Sequence, residues 1–134
     1  MRIVILLASS FILLFGGEYE LRLYEKVLPM LYNEKTIKVF PDYTTKSDLE
    51  KSTVLNVVDN CYEADVLIGK KFHNMRDGCE AKPIFATSYK SYKKHKSVIG
   101  AFYWRKGRPQ ISFRKDNIKK FNLTLPDSLK RYAQ

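Results

Sequence analysis

The sequence predicts a small α/β domain: a mixed sheet of parallel strands plus a C-terminal β-hairpin, flanked by helices. Short apolar runs of strand length alternate along the chain with short helical stretches, the order that gives parallel pairing. Lys106-Gly107-Arg108 sits between two β-like runs and marks a hairpin. About 117 residues follow an apolar leader, enough for a single core.

Within residues 18–32, Leu21, Tyr24, Val27, Leu28 and Leu31 share one helical face, and Pro29 should kink or end that helix near Val27. Residues 35–40 read as a strand in which Ile37 and Val39 alternate with lysines, and Pro41-Asp42 ends it. Thr45 or Ser47 can cap a short helix through Leu49 and Lys51. Residues 54–58 and 64–69 form two further β-like runs, the second being Ala-Asp-Val-Leu-Ile-Gly. A polar loop over residues 70–82 leads to Pro83-Ile84-Phe85-Ala86-Thr87, the continuous apolar pattern of a strand in mid-sheet. Residues 89–96 suggest a helical turn, residues 98–105 and 109–114 the hairpin, and residues 116–121 and 126–132 two helices, the latter opening on Pro126. Strict alternation puts Val98, Gly100, Phe102 and Trp104 on one face of the first hairpin strand. Ile99, Ala101, Tyr103 and Arg105 take the other, so both faces should be buried.

The first 17 residues have the order of a signal peptide: Arg2, an apolar run over residues 3–15, then Gly16-Gly17. That run is shorter than the roughly 20 apolar residues a spanning helix needs. The expected organisation is therefore a signal peptide over 1–17 and one domain over 18–134, working in the periplasm. A buried strand over residues 2–8 is the competing reading. The formal charge of +10, less Arg2, leaves 10 − 1 = +9 for the exported chain. Such a balance favours anionic partners, and for an exported protein an acidic protein face or an anionic lipid surface comes before nucleic acid. Cys61 and Cys79 are an even pair in an exported chain, which points to one disulfide, with two free thiols as the alternative. His73 and His95 complete no zinc-like spacing, and no metal or other cofactor is expected.

Two basic stretches are candidate binding surfaces. At the hairpin tip, Trp104, Arg105, Lys106 and Arg108 combine an aromatic with cations, a composition common at protein contacts. In residues 89–96, Lys90, Lys93, Lys94 and Lys96 are interleaved with tyrosines and could bind an anion, while a solvated helix face is the plainer reading. Catalysis is not expected. No Gly-x-Ser-x-Gly elbow, Walker loop or dinucleotide glycine motif occurs, and Asp42, Asp48, Asp59 and Asp65 are scattered. Asn122-Leu-Thr is a formal glycosylation sequon.

In the order of its pieces the chain resembles the YfiR-like family of small bacterial periplasmic proteins. The matching segments are Asp65-Val66-Leu67-Ile68-Gly69, Ile84-Phe85-Ala86-Thr87-Ser88, Val98-Ile99-Gly100-Ala101-Phe102, Gln110-Ile111-Ser112-Phe113, and the leucines 123, 125 and 129. It departs where Leu31-Tyr32-Asn33 stands in place of the family's Trp-Pro. The resemblance implies a non-enzymatic regulator that contacts the periplasmic part of a membrane-anchored signalling protein, such as a diguanylate cyclase or a sensor kinase. A small anion- or solute-binding domain is the alternative function.

Overall fold

The computed structural model describes residues 16–72 and 78–134. The expected signal segment lies outside them, apart from Gly16 and Gly17, and so does His73. Helix α1 spans Gly16–Tyr32, followed by β1 (Ile37–Pro41), the one-turn α2 (Lys46–Leu49) and β2 (Leu55–Val57). A 3-10 turn at Cys61–Glu63 leads into β3 (Val66–Gly69), and a second at Cys79–Ala81 into β4 (Ile84–Ala86). Then come α3 (Tyr89–Lys94), the hairpin strands β5 (Val98–Arg105) and β6 (Arg108–Phe113), α4 (Lys115–Lys120) and a 3-10 segment, Asp127–Tyr132.

The six strands form one sheet in the order β2-β1-β3-β4-β5-β6, parallel except for the antiparallel β5–β6 pair. β1 to β5 thus wind as 2-1-3-4-5, with the reversal of direction between β1 and β3. Under α1, Leu28, Leu31, Val66, Ile68, Phe85, Ile99, Phe102 and Phe113 make the larger core. On the opposite face Leu67, Ile84, Ala86, Val98, Ala101 and Tyr92 gather around the cysteines. β6 is an edge strand whose Pro109 offers no N–H, and its far end is closed by Gln134, whose N–H bonds the Phe113 carbonyl at 2.8 Å.

Several expectations need correction. Pro29 neither ends α1 nor limits it to Val27, because burial of Val27, Leu28 and Leu31 outweighs the one helical N–H that proline lacks. The helix ends instead at Asn33, at φ 53°. Alternation in β5 is broken near its start: Val98 pairs with Ile84 while Gly100 pairs with Phe85. The extra residue, Ile99, joins Phe102 on the α1 face, and Val98 joins Ala101 on the other. Gly100 fits there because a Cβ would lie 2.8 Å from the Phe113 ring and 2.8 Å from the Ser112 carbonyl. The hairpin loop is two residues, Lys106 and Gly107, both at positive φ (52° and 76°), so Arg108 belongs to β6. The last segment is 3-10 rather than α, and Pro126 precedes it rather than opening it.

Candidate functional site, a basic pocket at the carboxyl ends of two parallel strands

The parallel strands β3 and β4 end side by side, and the chain leaves each one carrying lysines. Gly69 ends β3 and runs directly into Lys70 and Lys71, while β4 leads through Thr87 and Ser88 into α3. Between the two departing segments lies a pocket of about 430 Å³ lined by Lys70, Lys71, Phe72, Ser88, Lys90, Ser91, Lys94 and His95. Open α/β sheets place ligands outside the carboxyl ends of their strands, and this pocket lies at such ends, those of β3 and β4, one strand along from the reversal between β1 and β3.

Asp42, the first residue after β1, fixes one wall. It is only 4% exposed. Its carboxylate accepts the backbone N–H of Lys70 at 2.8 Å and of Lys71 at 2.9 Å. The hydroxyls of Thr44 and Thr45 also donate to it, each at 2.8 Å, and the Thr45 N–H does so at 3.0 Å. Burial pushes the Asp42 pKa up, but the bonds from Lys70, Lys71, Thr45 and Thr44 outweigh it and hold it below the ordinary carboxylate value. Gly69, at φ 150°, permits this approach, since a Cβ there would collide with the Asp42 carboxylate. Asp42 therefore satisfies the backbone of Lys70 and Lys71 while leaving both ammonium groups to solvent.

The other wall is α3, started by the Ser88 hydroxyl, which accepts the Ser91 N–H at 3.1 Å. Ser91 is 3% exposed, and its own hydroxyl finds no hydrogen-bond partner among the described residues. His95 meets Phe72 edge to face, ring centroids 5.9 Å apart. Burial, and then the neighbouring Lys94 ammonium, lower its pKa from 6.5, so the imidazole is neutral at pH 7. None of the lysines 70, 71, 90 and 94 has an acidic partner within ion-pair distance among the described residues.

Of the lysines the sequence singled out, Lys90 and Lys94 line the pocket. Lys93 instead lies over the Tyr89 ring, 5.6 Å from its centre, and Lys96 is exposed beyond the helix. Lys70, Lys71 and Asp42 were not singled out, and the only sequence signal for them is a polar pair directly after an apolar strand. Cys61 and Cys79 form a disulfide, both buried, with Cα atoms 5.9 Å apart. It ties the turn before β3 to the turn before β4, at the amino ends of the two strands whose carboxyl ends carry the pocket.

At the hairpin tip Arg105, Lys106 and Arg108 are exposed, but Trp104 is partly built into the framework. Its indole N–H donates to Glu20 at 2.9 Å and its ring contacts Tyr19 and Phe102. Arg105 and Arg108 stand directly opposite each other across the turn. Like charges paired in this way are destabilising.

Fold and pocket together define a small α/β domain, mostly parallel, with a cationic recess at the ends of its central strands. No family model matches the chain, and no curated protein does. Among solved structures it is similar to a conserved domain protein from Vibrio cholerae O1 biovar eltor str. N16961, with a TM-score of 0.54 and 11% identity. The match covers 88% of this chain and 59% of that one, and at this identity it speaks for the shared fold alone.

Proposed function

We propose that this chain is a non-enzymatic binding module of the periplasm that recognises an anionic ligand in the pocket between β3 and α3. One observation carries the reading: lysines 70, 71, 90 and 94 converge from two segments on one recess without acidic partners among the described residues. A protein that gathers like charges at a concave site raises the local concentration of the opposite charge there. An internal disulfide suits an oxidising compartment, and among the described residues no helix is long and apolar enough to cross a membrane.

A second reading has its own support. The exposed trio Arg105, Lys106 and Arg108 is held together against its own repulsion in a tight turn, a local cost that contact with an acidic partner would relieve. A membrane-anchored signalling protein, as the YfiR-like resemblance suggests, is the partner this reading implies.

Isothermal titration with inorganic phosphate at low salt separates the two. The anion reading expects saturable binding that Lys70→Ala and Lys94→Ala each weaken several-fold and that Arg105→Ala leaves unchanged. Binding that is indifferent to both lysine variants would remove the pocket from the account.

A further inference from the structure

The recess is much larger than a single small anion requires. Its volume of about 430 Å³ falls in the ~300–1,000 Å³ range typical of pockets for organic ligands. Its lining is divided by chemistry. Lysines from two segments line it, while Phe72 and the His95 ring give it an aromatic part. The buried Ser91 hydroxyl, which no described residue satisfies, contributes an unused polar group at the same recess.

Resting on the anion-binding reading, we infer that the ligand is an organic phosphate monoester: a dianionic head held by the lysines and an apolar, planar body laid against Phe72 and His95. The head is assigned from charge and from the type of donor. A phosphate monoester carries roughly −1.5 to −2 charges at pH 7 and three strong acceptor oxygens, whereas a carboxylate carries one charge. Lysine binds phosphate as a point charge, and lysines 70, 71, 90 and 94 bring four such charges to the described lining, more than one carboxylate would balance. The body is assigned from the half-buried Phe72, which lines the pocket beside His95 and meets that ring edge to face. Covering that ring removes apolar area from water, a gain that inorganic phosphate cannot make.

Asp42 is a positioning residue for this site. By drawing both the Lys70 and the Lys71 amides onto one carboxylate oxygen, it presets the wall from which those two ammoniums extend.

The test is titration calorimetry on the full chain at low salt with phenyl phosphate, inorganic phosphate, benzoate and phenol, repeated on Phe72→Ala and Ser91→Ala. Phenyl phosphate should bind at least tenfold more tightly than either inorganic phosphate or benzoate, and phenol should give no heat. Phe72→Ala should erase the advantage of phenyl phosphate while leaving inorganic phosphate unchanged. Ser91→Ala should weaken both phosphates several-fold, and unchanged binding would take Ser91 out of the site. Equal affinity for phenyl phosphate and inorganic phosphate would overturn the organic ligand and leave the anion pocket standing. Equal affinity for benzoate and phenyl phosphate would overturn the phosphate head. No binding of any anion would remove the pocket reading itself.

Discussion

On one side of the sheet α1 brings Tyr24, Leu28 and Leu31 into a cluster with Phe85, Ile99 and Phe113, all of them 3% exposed or less. On the other side the buried set is smaller, with Ala64, Ala86 and Ala101 beside Leu67, Ile84, Val98 and Tyr92, and is fastened by the Cys61–Cys79 bond. The polar groups divide in the same way. The basic pocket and the Ser91 hydroxyl, which has no hydrogen-bond partner among the described residues, belong to the disulfide side, and the similarly placed Tyr24 hydroxyl lies under α1. The larger apolar cluster marks the α1 side as the stabilising face, and the proposed binding site lies where the covering layer is thin and cross-linked. The thin layer leaves the strand ends and the side chains of lysines 70, 71, 90 and 94 near solvent.

Substitutions on the two sides should separate these roles. Phe85→Ala, at the centre of the α1 face, should cost the most, roughly 3–5 kcal/mol by urea unfolding. A loss below about 1 kcal/mol would mean that the face is not the stabilising one. Replacing both Cys61 and Cys79 by serine should cost about 3 kcal/mol in the chain-entropy account. Both changes should leave the anion affinity of the folded protein near its original value, because the disulfide lies at the amino ends of β3 and β4 and the pocket at their carboxyl ends.

Asp42→Asn should cost about 1–3 kcal/mol, since one amide oxygen cannot accept every bond the carboxylate does and the amide N–H₂ would face other donors. The pH dependence has a definite sign. The folded pKa of Asp42 lies below its unfolded value of 3.8, so its contribution is complete above that value. It is lost as pH falls through the lower, folded pKa. The stability difference between wild type and Asp42→Asn should therefore be constant from pH 5 to 7 and shrink below 3.8. A difference that grows on acidification would contradict this assignment.

The smallest effects belong at the hairpin tip. The sequence alone suggests that Trp104 and Arg105 could be replaced together with little change in melting temperature. The bond from Trp104 to Glu20 and its contacts with Tyr19 and Phe102 revise that. Trp104→Ala should cost roughly 1–2 kcal/mol, while Arg105→Ala should stay within about 0.5 kcal/mol and lean towards stabilising.

What the sequence showed and what it hid follow from the range of the interactions involved. The short apolar runs at Val66-Leu67-Ile68 and Ile84-Phe85-Ala86 and the Lys106-Gly107 turn are local signals, and they revealed the strands, the hairpin and the fold class. The bulge at Ile99 was not visible, because it arises from the register of β5 against β4 rather than from β5 itself. Half of the pocket was legible as the lysine-rich stretch containing Lys90 and Lys94. The other half joins Asp42 to amides 28 and 29 residues away, a meeting that only the parallel pairing of β1 with β3 creates. Pro29 misled for a related reason, since its local cost is outweighed by tertiary burial of its neighbours.

The central claim, that binding belongs to the disulfide side of the sheet, is tested most directly by following backbone amide resonances during titration with phenyl phosphate. The account predicts saturable shifts confined to Lys70, Lys71, Phe72 and the amides from Ser88 to His95. Shifts centred on Trp104, Arg105 and Arg108, or on the α1 residues Leu23 to Leu31, would contradict it.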